Sequence, residues 1–451
     1  MVAICIACGV LAAYGQANAV EFTGGVWIGD VNGPRPPGGQ GSWVMLDENY
    51  ARMLAEPDLE YMHCQFTVVD VINPSPHTIA AKQMIAEMKA AGKKVVLQLW
   101  SNMDVPETNW SYYSIAHTSL DPFVRMRWHA TLGEAIRYFG GAETLYAVLL
   151  WEEIAGVNVG WDIPVSAEDK WRANKNSVVE GSTAGSSAYS ASGWPIGRSK
   201  EARDGPYMPQ MIAHRDEILA LGGIDVLKAD DWTEEDYRQF RFVVSRYMTA
   251  AMNVQFAEFV HTQFPGLKVF SWCYPAMAGD KWTDIGWEAQ HGVDGWVGDP
   301  YGGHAYNYTW VRTARALFGP EKEVHAIFHQ DRPQDVLERG VEVAYAGGAN
   351  SISFFTGDNN RRGAGGLDDS LAAMKKFLDR PIARPVLAEP YDTLVVSDDY
   401  YNSAQALFPK LGGRFDVVSS IDRYALWQDE SKYRRVLDTT AGKQALWMKA
   451  E

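Results

Sequence analysis

Eight short apolar stretches alternate with segments of helical periodicity, and this alternation predicts a (β/α)₈ barrel. Two further observations agree. The helical segments end at Gly or Pro-Gly stops, and the repeat fills about 360 residues, enough for eight units with insertions. The first strand is Gly25-Val26-Trp27-Ile28-Gly29, the second spans Tyr61 to Val69, the third Val95 to Trp100 and the fourth Leu145 to Trp151. The second half supplies Lys268 to Cys273, Val293 to Gly298, Val324 to His329 and Ser351 to Phe355. Between them, Ile79 to Ala91 runs into Gly92, and Phe123 to Phe139 ends at Gly140. Thr233 to Phe264 opens with Thr233-Glu234-Glu235-Asp236, a capping-type start, and stops at Pro265-Gly266. Tyr308 to Phe318, Pro333 to Ala346 and Leu367 to Leu378 complete the set. An open doubly wound sheet alternates in the same way but has no reason to stop at eight units.

Two regions depart from the repeat. Gly156 to Gly205 is a large insertion after the fourth strand, and Ser177 to Ser192 within it is rich in Ser, Gly and Ala. With so little apolar surface it reads as a lid or as a solvated loop. After Arg380-Pro381 and Arg384-Pro385 the pattern restarts. Thr393 to Ser397 reads as a strand, Asn402 to Leu411 as a helix, Phe415 to Val418 as a strand and Asp429 to Leu437 as a helix. That is the opening of a small flavodoxin-like α/β unit, read either as a truncated domain or as a minimal α/β cap, so the barrel is placed at 20–385 and the unit at 386–451.

Composition narrows the function. The net charge of −15 and the lack of any Lys/Arg run leave no basic surface for a phosphate backbone, so no nucleic acid is expected. The first nineteen residues carry no charged side chain, and an apolar run leads to Ala17-Asn18-Ala19. This reads as a signal peptide at 1–19 and implies a secreted or periplasmic protein. No later segment is apolar for long enough to span a bilayer. Past the leader only Cys64 and Cys273 remain, on the second and fifth strands, too far apart around a barrel for a disulfide. Neither Cys nor His shows zinc-like spacing, and no phosphate-binding glycine fingerprint occurs, so neither metal nor cofactor is expected.

In a barrel of this kind the chemistry sits at the carboxyl ends of the strands. The first strand delivers Trp27 and Asp30 there, the third Trp100 and Asn102, and the fourth Trp151, Glu152 and Glu153. The fifth gives Trp272 and Tyr274, and the sixth Trp296, Asp299 and Tyr301, with His304 beyond. The seventh gives His329, Gln330 and Asp331, and the eighth Asp358 and Asn359. One Trp alone is more often core than ligand platform. Five near strand ends, beside carboxylates and amides, suit a cleft that stacks on sugar rings and binds their hydroxyls. The sharpest local signal is Leu149-Leu150-Trp151-Glu152-Glu153, an apolar strand running into two carboxylates. Glycoside cleavage needs one carboxyl to protonate the leaving oxygen and a second opposite it as nucleophile or base. Asp331 is the preferred partner of Glu153, with Asp299 or Asp358 behind it. Asp331 also stands two residues before Pro333, where it could instead cap the following helix.

On these residues the chain resembles the retaining glycoside hydrolases with (β/α)₈ barrels, whose acid/base is a Glu at the end of the fourth strand, usually after Asn. Glu153 matches that position, and Glu152 stands where the Asn would be. A flavodoxin-like unit after the barrel is similar to the layout of family 42 β-galactosidases. The resemblance implies a carbohydrate substrate and a Glu nucleophile after the seventh strand, where this chain has His329-Gln330-Asp331. A non-catalytic glycan-binding barrel that has lost its second carboxylate is the alternative. Oligomerisation, if any, would use the C-terminal unit.

Overall fold

The computed structural model describes residues 23–30, 47–67, 71, 74–100, 122–150, 250, 252–272, 285–298, 304–329, 333–355, 367–379, 391–397, 407, 410–411, 415–419 and 422–438. Eight parallel strands close into a barrel in sequence order. They are β1 (Thr23–Asp30), β2 (Leu59–Thr67), β3 (Lys94–Trp100) and β4 (Leu145–Leu150), then β5 (Lys268–Trp272), β6 (Gly295–Gly298), β7 (Glu323–His329) and β8 (Ser351–Phe355). Closure is made by β1, whose Gly25 stands at the register of Tyr61 on one side and Ser353 on the other. The open doubly wound sheet is thereby excluded.

Local sequence explains where the connections turn. In α1 (Pro76–Ala90), Ser75 is the N-cap and accepts a bond from the Thr78 amide at 3.2 Å, with proline leading the first turn. The helix stops where Gly92 takes φ of 77°, a left-handed conformation that glycine adopts without steric cost. Lys93 follows and donates from Nζ to the Leu59 carbonyl at 2.8 Å, tying the start of β3 to the start of β2. Lys322 repeats the device four strands later, donating to the Val293 carbonyl at 2.6 Å just before β7. The outer helices on this half include α2 (His304–Phe318), α3 (Gln334–Gly347) and α4 (Leu367–Asp379).

Strand alternation divides the core in two. Outward positions such as Met62, Cys64, Val148, Trp296, Ala326 and Phe354 pack against the helices in one large apolar cluster. Inward positions, among them Val96, Leu149, Phe270, Trp272, Val297 and Ile327, fill the barrel axis. Gly295 shows how tight the axis is. A Cβ there would come within 2.8 Å of the Phe270 ring and of the Glu323 carbonyl.

Beyond the barrel, β9 (Thr393–Val396), β10 (Asp416–Val418) and β11 (Arg435–Asp438) form a parallel sheet in the order β10-β9-β11. The expected helix over Asp429 to Leu437 is therefore corrected. Glu430–Lys432 makes only a short 3-10 turn, and the rest becomes β11, with Val436 and Leu437 at the register of Leu394 and Val395. The sheet shares its apolar core with the barrel: Val395, Phe415 and Val417 pack with Tyr308 of α2 and Val343 of α3. At the seam Arg312 of α2 pairs through Nε with Asp416, both side chains almost wholly buried, and its guanidinium lies 4.1 Å from the Tyr391 ring centroid.

Candidate active site at the carboxyl ends of the strands

The inner wall of the barrel can be followed from floor to rim. At the floor stands Glu323, the first residue of β7. Its Oε2 accepts from the Tyr61 hydroxyl at 3.0 Å and from His325 Nε2 at 2.8 Å, while Oε1 accepts from the Tyr146 hydroxyl and Lys268 Nζ. Lys268 also donates to the Tyr146 oxygen at 2.7 Å. Burial alone would raise the Glu323 pKa. The bonds and charges of His325 and Lys268, with the Tyr146 hydroxyl, outweigh it and hold the carboxyl far below the usual range. Burial first, then the Glu323 charge, pushes the Tyr61 phenol far above its ordinary value, which keeps it a donor. Glu323 is thus an ionised, fully engaged carboxylate at the amino end of the barrel. It cannot serve as a proton donor to a substrate at the opposite end.

Above the floor, the His325 ring lies 4.5 Å from Tyr61, 5.1 Å from Phe270 and 5.7 Å from His63, centroid to centroid. At the rim, the backbone positions of Trp27, Trp100 and His329 continue the inward-facing register of their strands. Trp27 stands at the register of His63, and Trp100 and His329 each follow an inward residue two places earlier, Gln98 and Ile327. Asp30 ends β1 at the register of Gln65.

Three of the expected site residues have described side chains. Trp296 is corrected: it is fully buried on the helix side of β6, its ring 6.4 Å from that of Trp310. Its neighbour Val297 takes the inward position, so Trp296 belongs to the outer core and cannot line a cleft on the axis. Trp272 does face the axis, but at 1% exposure it is packed into the inner cluster beneath the rim, so its present place is core. His304 opens α2 half-buried. Burial and the Arg339 charge lower its pKa, while Asp335 and Glu342 oppose them, which places it against α3. Asn102, Trp151, Glu152, Glu153, Tyr274, Asp299, Tyr301, Gln330, Asp331, Asp358 and Asn359 lie outside the described residues. Their strands are where the alternation placed them: β4 ends at Leu150 and β7 at His329.

Among the described residues no group of three or more His, Cys, Asp or Glu could hold a metal ion. No described helix is long and apolar enough to cross a membrane. Cys64 is a free, buried thiol against Met88, its Sγ 3.5 Å from the thioether sulfur, and burial raises its pKa. Cys273 lies outside the described residues. The floor network of Glu323, Tyr61, Tyr146, Lys268 and His325 was not among the expected residues. Its only sequence signal is the two-residue spacing of Glu323 and His325 into the inward register of Ile327.

No protein-family model matches the sequence, and no curated protein matches it significantly. Solved structures do match by fold. One is a β-galactosidase from the psychrophilic Marinomonas ef1, with TM-score 0.55 and 11% identity over 95% of this chain and 74% of that one. Another is GH5_18 from Bifidobacterium longum subsp. infantis, with TM-score 0.50 and 9% identity over 96% and 99% of the two chains. GH5_18 from Bifidobacterium longum subsp. longum ATCC 55813 gives TM-score 0.50 and 9% identity over 95% and 99%. At such identities the likeness shows the fold: a parallel-strand barrel ringed by helices, of the kind found in glycoside hydrolases.

Proposed function

We propose that this protein is a glycoside hydrolase acting on an oligo- or polysaccharide at the carboxyl mouth of its barrel. The observation that carries the reading is the closure of eight parallel strands with β4 ending directly before Trp151-Glu152-Glu153 and β7 directly before Gln330-Asp331. Strand ends three places apart around an eight-strand ring can flank one sugar. In this reading Glu153 protonates the departing glycosidic oxygen, and Glu152 beside it helps hold that proton by like-charge repulsion. Asp331 is the opposing carboxylate. The N-cap position of α3 falls on Pro333, which favours this use of Asp331 over helix capping. The resemblance to the retaining clan favours Asp331 as nucleophile, with about 5–5.5 Å between the carboxyls; about 6.5–9.5 Å would mean inversion. Trp27 and Trp100, whose backbone positions stand in the inward register near the strand ends, are the residues proposed to stack on a ring. Export after cleavage at Ala19 and the family 42 layout belong to the same proposal.

The test is a panel of aryl glycosides and polysaccharides incubated with the full chain, followed by release of reducing ends. Turnover of any member supports the reading. Binding without turnover would instead make the protein a glycan-binding barrel, and neither binding nor turnover would overturn the carbohydrate assignment. Mass spectrometry of the exported protein should find Val20 at the N-terminus.

A further inference from the structure

A row of polar atoms in the barrel axis lacks hydrogen-bond partners among the described residues. His63 on β2 is fully buried, and neither ring nitrogen has a hydrogen-bond partner among the described residues. The same is true of His325 Nδ1 on β7 and of the Ser351 and Ser353 hydroxyls on β8. These groups are neighbours. Ser351 stands at the register of His325, whose ring lies beside that of His63, and Ser353 is the next inward residue along β8. The chemistry of each group is fixed by what surrounds it. An ionised Glu323 can only accept, so His325 donates to it from Nε2, and its Nδ1 is left to find a partner elsewhere. A neutral His63 offers one donor and one acceptor, and each serine offers both.

We infer that the barrel axis carries a buried water-binding site between β2, β7 and β8, held by His63, His325, Ser351 and Ser353. Water is the ligand this set fits. It is small, both donates and accepts, and is stable when given two to four polar partners. The two imidazoles meet edge to face with centroids 5.7 Å apart, so a single water seated beside them can reach a nitrogen of each ring. Groups so fully buried are costly if unpaired, and a bound water satisfies several together. Burial itself holds the His63 ring neutral, which supplies the mixed donor and acceptor character that bridging needs. This site is independent of the proposed hydrolase activity.

A high-resolution crystal structure of the full chain tests it. The expected result is an ordered water within about 2.6–3.2 Å of a His63 nitrogen and of His325 Nδ1 or a serine hydroxyl. Direct His63–serine or His63–His325 hydrogen bonds with no water among them would overturn it. Thermal melts of His63→Leu and Ser353→Ala give an independent reading. A hydrated site predicts a lower Tm for His63→Leu, whereas a dry site would be relieved of two unpaired nitrogens and its Tm would rise or stay. Should His63→Leu fail to fold, Ser353→Ala removes one hydroxyl and is expected to lower Tm and displace the water. An unchanged or raised Tm in that variant counts against the site.

Discussion

The floor of the barrel and its seam with the C-terminal sheet each bury an ion pair, yet they handle charge differently. At the floor Glu323 has four donors from four strands, and the side chain of its cationic partner Lys268 is 39% exposed. At the seam Arg312 and Asp416 are 3% and 0% exposed. A shared, partly wet network can lose a member and resolvate the rest. A sealed pair cannot, because the survivor is left as a buried charge.

The largest expected effect is therefore at the seam. Asp416→Ala should cost about 3–5 kcal/mol in denaturant unfolding, by stranding Arg312. A loss below about 1 kcal/mol would mean that the seam opens to water. Glu323→Gln comes second, at about 1–3 kcal/mol, since it keeps the shape of the side chain but weakens its charge-assisted bonds. The pH dependence follows from the sign of the shift. A carboxyl whose folded pKa is depressed contributes stability that is fully present above its unfolded value, about 4.3, and is lost as pH falls toward the folded pKa. The difference between wild type and Glu323→Gln should thus be constant near neutrality and shrink below about pH 4. Lys268→Met should cost least, about 0–1 kcal/mol, because much of that side chain already meets solvent. If Lys268→Met matched Asp416→Ala, the contrast between floor and seam would fail.

Much of this fold is legible in the sequence, because the outward face of each strand must be apolar and each helix needs a stop. Ser351–Phe355 and the Gly92 and Gly140 ends fall where pattern and turn chemistry place them. Where the reading went wrong, tertiary pairing decided. Tyr433, Val436 and Leu437 have the i, i+3, i+4 spacing of a helix, yet the segment pairs with β9 instead. Trp296 was separable from Trp272 only by strand parity, which turns one outward and the other inward. The floor network was out of reach, since Tyr61 and Tyr146 lie 262 and 177 residues from Glu323. A lone acidic residue opening an apolar strand looks like a solvated end until the barrel closes around it.

The proposed chemistry rests on the carboxylates that follow β4 and β7, and replacing each by its uncharged amide probes it at the source. Glu153→Gln and Asp331→Asn should each lower kcat on a glycoside that the wild type turns over, by at least about 10²-fold for the general acid. Tm and glycan affinity should stay near the wild-type values. Full activity in Asp331→Asn would move the partner role to Asp299, and full activity in Glu153→Gln would contradict the account.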